Sequence, residues 1–355
     1  MTSKAMALAL LGLAWLAAKV PAQDKLVFAV DIIRHGDRTP LTNLLGENPT
    51  NWPEGFGNLT ALGTNQEYAL GAALRGRFYG GLLDSNTAPE SIRAFSTDMD
   101  RTRQSARFFL SGLVGGIAQS IPILTNIPVD VTAGLSKDNG ISTAKVLIPE
   151  KTANFPALET RYVLDAPEWV ATNGALRPQF ARWGGALNRK IVSVQDLIGL
   201  GDSLYIHQIH HVPLPAGLGP EDVEAVIAAG RWAFVYEYNP DIGRFTGKAL
   251  LGKIAEYIGN ARREEASQRK TVLKYVLFSA HDNTLLSEMS ALRAPLTGTN
   301  SPPYASFLHF ALFEGGGRDF HIQVLYHDHE DHLVPDPENG GAAWSVEHLL
   351  KLAGQ

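Results

Sequence analysis

The sequence predicts an α/β protein: a mixed, largely parallel sheet flanked by helices, with a smaller, mostly helical domain inserted into it. Three observations predict this. Apolar, β-branched runs with no polar face lie near both ends of the chain, as expected of strands covered on both sides. Stretches with apolar residues at helical spacing alternate with them. Between the two ends, residues 128–250 are punctuated by Pro and Gly and carry scattered helical pieces such as EDVEAVIAAGRWAFVYEY. The expected organisation is an α/β domain built from residues 23–127 and 251–355 around a helical cap at 128–250. With 355 residues, 45% of them hydrophobic, the chain can bury a large core in more than one lobe.

The first 22 residues read as a separate element. MTSK carries positive charge, AMALALLGLAWLAA has the length of a signal h-region, and VPA ends on small residues. That is the pattern of a secretory leader cut after Ala22. Its apolar run falls short of the roughly 20 residues a bilayer span needs. Losing Lys4 and Lys19 with the leader would take the net charge from −5 to −7. An acidic exported protein is a poor binder of nucleic acid or anionic membranes. The chain has no cysteine, so it forms no disulfide, which suits a bacterial periplasmic or secreted protein.

The elements follow in order. Residues 26–33 (LVFAVDII) are the first strand. A helix follows over 60–81 with Thr60 as its N-cap. SIRAF (91–95) is a short strand, and a helix capped by Ser and Asp runs from STDMD to the glycines at 115–116. KYVLFSAHDN holds another apolar strand. YASFLHFALFE and DFHIQVLYHD flank the glycines at 315–317 and read as a hairpin.

Two strands end on charge. The first runs into Arg34-His35-Gly36-Asp37-Arg38 and the later one into His281-Asp282. In open α/β sheets ligands bind beyond the carboxyl ends of the strands. Two guanidinium forks match phosphate or carboxylate oxygens bidentately. Their charge pushes His35 toward its neutral, nucleophilic form. Asp282 could protonate a departing alkoxide, and His281 adds a donor.

Arg34-His35-Gly36-Asp37-Arg38-Thr39-Pro40 has the R-H-G-x-R-x-P form of the histidine acid phosphatases, and His281-Asp282 resembles their distal H-D pair. WPEGFGNLTALG (52–63), STDMDRT (96–102), FSAHDNT (278–284) and PPYAS (302–306) are similar to segments of the prostatic and lysosomal branch. The resemblance covers both ends of the chain, about half its length, and implies a phosphoglycerate-mutase-like fold. It implies an exported acid phosphatase that hydrolyses phosphate monoesters through a phosphohistidine on His35. Arg34, Arg38, Arg101 and His281 would hold the phosphoryl group and Asp282 would protonate the leaving group. No cofactor and no metal is implied. The animal enzymes' disulfides cannot carry over, and their dimerisation carries over only as a suggestion of a homodimer.

Other motifs are weighed against this. HQIHH (207–211) and HDHEDH (327–332) have ligand types at metal-like spacing, but both read better as loop and surface residues. Arg75 is a further arginine on the face that could reach the site. A cofactor-type phosphomutase is the rival within enzymes; the leader and Asp282 argue against it. An exported phosphate-binding module is the rival outside enzymes, but it gains nothing from a nucleophile paired with an acid. Among phosphatases, the net acidic charge favours simple monoesters over inositol hexakisphosphate.

Overall fold

A computed structural model describes residues 24–84, 86–132, 140–267, 272–294 and 301–354. The expected leader, residues 1–22, lies outside them. In chain order the elements are β1 (Lys25–Arg34), α1 (Ala61–Arg77), β2 (Ile92–Ser96), α2 (Asp100–Val114), β3 (Ile123–Leu124), β4 (Asn126–Pro128), β5 (Gly140–Ser142) and α3 (Ala144–Leu147). The helices α4 (Phe155–Glu159), α5 (Pro167–Leu187), α6 (Leu197–Ile209), α7 (Pro220–Glu237), α8 (Pro240–Thr246) and α9 (Lys248–Ala266) follow. The chain closes with β6 (Tyr275–Ala280), α10 (Asp282–Ala291), β7 (Phe307–Glu314), β8 (Phe320–His327), β9 (Asp331–Leu333), β10 (Ala343–Ser345) and α11 (Val346–Ala353).

The fold is mixed α/β. Strands β1, β6, β2 and β3 lie side by side and parallel. The hairpin β7–β8 joins the free edge of β1 antiparallel, and β10 pairs with β8 beyond it. One face of the sheet packs on α9, α10 and α11 through residues such as Ile254, Leu285 and Leu349; the other packs on α1 and α2 through Leu74, Phe109 and Leu113. Helices α4 to α8 gather around a core of their own that includes Trp169, Trp183 and Leu204. Among the described residues no helix is long and apolar enough to cross a membrane.

Local details follow from side-chain chemistry. Thr60 caps α1, its hydroxyl accepting from the Gly63 amide at 3.1 Å. The expected Ser/Asp cap of α2 is absent: Met99 occupies that position and makes no side-chain cap bond. The candidates are committed elsewhere, Ser96 donating to the Thr97 carbonyl and Asp98 pairing with Arg103. Strand β1 also carries one polar residue inward. Asp31 is fully buried, and its carboxylate accepts from Tyr79 and Tyr275 at 2.7 Å each, with His309 Nδ1 at 2.6 Å. Those partners offset the cost of burying the carboxylate.

Glu288, on α10, is the opposite case. It is fully buried, and neither carboxylate oxygen has a hydrogen-bond partner. Burial therefore pushes its pKa well above the usual 4.5, and the folded chain holds the proton more tightly than the unfolded one. Such a group stabilises fully below the unfolded value and loses that contribution as pH rises toward the folded value, at about 1.4 kcal/mol per pH unit. The variant Glu288→Gln cannot ionise. Its destabilisation relative to the parent, read as ΔTm by calorimetry, should be larger at pH 4.5 than at pH 7.5.

Candidate active site

Three adjacent parallel strands end at one place. The carboxyl end of β1 delivers Arg34 and His35, that of β6 delivers His281 and Asp282, and that of β2 leads through residues 97–99 to Arg101 in the first turn of α2. The main chain pins His35 from both sides. His35 N–H donates to the Ala280 carbonyl at 3.1 Å, and the Ala305 N–H donates to the His35 carbonyl at 3.3 Å. Gly36 has to be glycine, because a Cβ there would meet the Gly63 carbonyl oxygen at 2.4 Å. That close approach seats the start of α1 directly behind the RHGDR turn.

All six residues singled out in the sequence (Arg34, His35, Arg38, Arg101, His281 and Asp282) line one cavity of about 570 Å³. His35 is 2% exposed. Its Nδ1 lies 2.8 Å from the Gly36 carbonyl oxygen. A carbonyl can only accept, so Nδ1 carries the proton and Nε2 keeps a free lone pair. Burial pushes the His35 pKa well below 6.5, and the charges of Arg101 and Arg34 add to that. Burial and charge both favour the neutral ring.

Two of the three arginines around it are paired with carboxylates. Arg34 Nη2 meets Asp282 Oδ2 at 2.7 Å, Nη1 donates to the Pro302 carbonyl at 2.5 Å, and the guanidinium stacks over the Tyr304 ring at 4.2 Å. Arg38 grips Asp202 bidentately at 3.0 and 3.1 Å. Arg101 donates only a long 3.4 Å bond, to the Gly57 carbonyl; burial and the charge of Arg38 bring its pKa down to about 10. It is the cation with most donor capacity to spare. His281 is driven to about 3 by burial and by Arg101. Its Nε2 lies 3.0 Å from Thr97 Oγ1, which touches Thr102 Oγ1 at 2.8 Å.

Asp37 of the motif faces away from the cavity. It accepts from Thr60 Oγ1 at 2.5 Å and pairs with His210 Nε2 at 2.7 Å, tying the turn to α1 and to the end of α6. Arg75 does not reach the site; its Nε donates to the Leu113 carbonyl near the end of α2. Four of the six histidines in the two histidine-rich stretches pair with carboxylates, and Asp328 and His329 of the second stretch line the cavity. His207 is buried against Glu47, while His327 pairs with Asp331 and His332 with Asp328. Among the described residues no group of three or more His, Asp or Glu is placed to hold a metal ion.

A family model described as "Histidine phosphatase superfamily (branch 2)" matches residues 25–173. Human testicular acid phosphatase is 30% identical over 344 residues, covering 88% of this chain and 74% of that protein. The chain belongs to branch 2 of the histidine phosphatase superfamily. It is therefore an enzyme, a histidine acid phosphatase. Lysosomal acid phosphatase of Bos taurus is 28% identical over 322 residues, covering 87% of this chain and 72% of that one. Among solved structures, Hafnia alvei phytase in complex with myo-inositol hexakis sulphate superposes with a TM-score of 0.69 at 14% identity, over 94% of this chain and 97% of that one. The last likeness is one of fold alone.

Sequence reasoning missed Asp202 and Tyr304 in the phosphatase's site. Tyr304 sat in the PPYAS segment and could have been named from it. Asp202 is an ordinary-looking acid on a helix 164 residues from its arginine, and no local signal marks it. The electrostatics carry a testable consequence. Arg101 is the largest charge holding the His35 pKa down. In Arg101→Gln that repulsion is gone, so the His35 pKa rises and the ring protonates earlier on acidification. The acid limb of log kcat/KM against pH should move to higher pH than in the parent, whatever the loss in absolute rate.

Proposed function

We propose that this phosphatase hydrolyses phosphate monoesters through a covalent phosphohistidine on His35, without a metal, after export to the periplasm or the medium. The observation that carries the reading is the buried His35, neutral and with Nε2 free, in one cavity with three arginines and Asp282. The phosphoryl oxygens take the donors of Arg101 and Arg38 and displace Asp282 from Arg34. His281 turns its Nε2–H from Thr97 toward the same oxygens. His35 Nε2 then forms the P–N bond as the P–O bond to the leaving group breaks, and that oxygen takes the proton of Asp282. Water attacks phosphorus in the second half. The P–N bond breaks, and the Asp282 carboxylate accepts the water's proton.

Charge accumulating on the phosphoryl oxygens meets guanidinium groups already fixed in place. Metal-free turnover rests on that charge. Residues 1–22 act as the export leader, and helices α6 and α7 of the helical region line one side of the cavity.

His35→Ala should lose ~10⁴-fold or more in kcat. Acid quench of the parent with ³²P-labelled p-nitrophenyl phosphate should trap acid-labile, base-stable label on one histidine, and a chelator should leave the rate unchanged. A His35→Ala rate within a factor of about ten of the parent would remove the covalent mechanism. Asp282 is tested by leaving group. p-Nitrophenolate, with a pKa of about 7, departs with little help, whereas a sugar alkoxide needs a proton. Pre-steady-state phosphorylation by Asp282→Asn should therefore fall far more with an alkyl phosphate than with p-nitrophenyl phosphate. Equal losses would make Asp282 a binding residue.

A further inference from the structure

Helices α1 and α2 pack against each other behind the RHGDR turn, and glycines let all three approach closely. A Cβ on Gly63 would meet the Asp37 carbonyl oxygen at 2.1 Å, and one on Gly71 would meet the Phe109 carbonyl oxygen at 2.0 Å. Gly63, Glu67, Gly71 and Leu74 make up the buried face of α1, as their spacing requires. Glu67 therefore sits one turn from each close approach, between the turn and α2. It is fully buried, and neither carboxyl oxygen makes a well-formed hydrogen bond. The group beside it that can donate one is the Ser105 hydroxyl, on α2 one turn after Arg101. Neither Glu67 nor Ser105 lines the cavity.

Ser105 reaches the backbone next to His35. Its Oγ accepts from the Gly36 N–H at 3.2 Å. The His35–Gly36 peptide is thereby held at both ends, since its carbonyl accepts from the Ala305 N–H at 3.3 Å. The Gly36 carbonyl lies 2.8 Å from His35 Nδ1, so a tilt at Gly36 re-aims Nε2. The following amide, Asp37 N–H, donates to Gln66 Oε1 at 2.8 Å. Two consecutive side chains of α1 thus serve the turn. Having accepted from Gly36, the Ser105 hydroxyl has one proton to donate, and the Glu67 carboxyl stands beside it.

Burial pushes the Glu67 pKa well above 4.5. The carboxyl keeps its proton and adds no negative charge that would draw a proton onto His35. An unpaired buried acid is costly for folding, and an apolar side chain at that position would avoid the cost.

We infer that Glu67 is a positioning residue for the reaction on His35: through Ser105 it fixes the Gly36 amide, and with it the direction of the His35 ring. The inference rests on the phosphatase reading above and adds a residue that touches neither the substrate nor the arginine clamp.

Pre-steady-state labelling of His35 by ³²P-labelled p-nitrophenyl phosphate, set beside titration calorimetry with inorganic phosphate, tests this on the purified phosphatase. Glu67→Leu keeps the side-chain bulk and removes the acceptor. Its labelling rate should fall ~10- to 100-fold, the effect of a displaced reacting atom. Its phosphate Kd should stay within about 3-fold of the parent, because other groups hold Arg34, Arg38 and Arg101. Glu67→Gln is neutral and keeps a carbonyl oxygen for Ser105, so its rate should return to within about 3-fold of the parent. Ser105→Ala should show the same split as Glu67→Leu, and it decides the matter where the leucine variant does not fold. A parent-like rate in Glu67→Leu or Ser105→Ala, a glutamine variant as slow as the leucine one, or a phosphate affinity that falls with the rate would overturn the inference. Failure of the phosphatase reading shows itself earlier, as a parent whose His35 takes no label, and removes the inference with it.

Discussion

A neutral imidazole buried among guanidinium groups is the constraint on which the rest of this structure depends. Burial alone disfavours the imidazolium, and Arg101, Arg34 and Arg38 disfavour it further. The same arrangement is costly for the arginines, since buried cations need partners. The substrate-free site supplies them from two directions. Asp282, at the head of α10, neutralises Arg34, and Asp202, on α6, neutralises Arg38.

This pairing explains why the site is assembled from so many parts of the chain. Parallel neighbours β1, β6 and β2 bring their carboxyl ends to one edge, so Arg34, His281 and Arg101 meet although they are far apart in sequence. Main-chain bonds from His35 to Ala280 and from Ala305 to His35 hold that residue on both sides. Asp37 then links the motif to Thr60 and His210, and thereby to α1 and α6. A change in how α6 sits would be felt at Arg38 through Asp202.

The α6–α7 pair lines the rest of the cavity. Close approach at Gly201 and Gly230 lets the two helices present apolar, charged and aromatic residues to it. The outer wall contributes Glu150 and Asp328 as well as Arg231.

Much of this was legible in the sequence because it is local. The strand ending on RHGDR, the Thr60 cap and the H-D pair at the end of β6 are all short-range patterns, and R-H-G-x-R-x-P with a distal H-D pointed to the family. Arg101 was legible through its D-x-D-R-T setting. What tertiary structure decided is non-local. Asp202 becomes Arg38's partner only when α6 folds over the sheet, and Arg75, on a suitable helix, turns instead to the Leu113 carbonyl. The Ser/Asp cap expected on α2 failed because Ser96 and Asp98 found other partners. Asp31, inside an apolar run, is tolerated only because Tyr79, Tyr275 and His309 converge on it from three other elements or their ends. Hydrogen bonds and ion pairs are satisfied by whichever group arrives first in space, and sequence order does not record that.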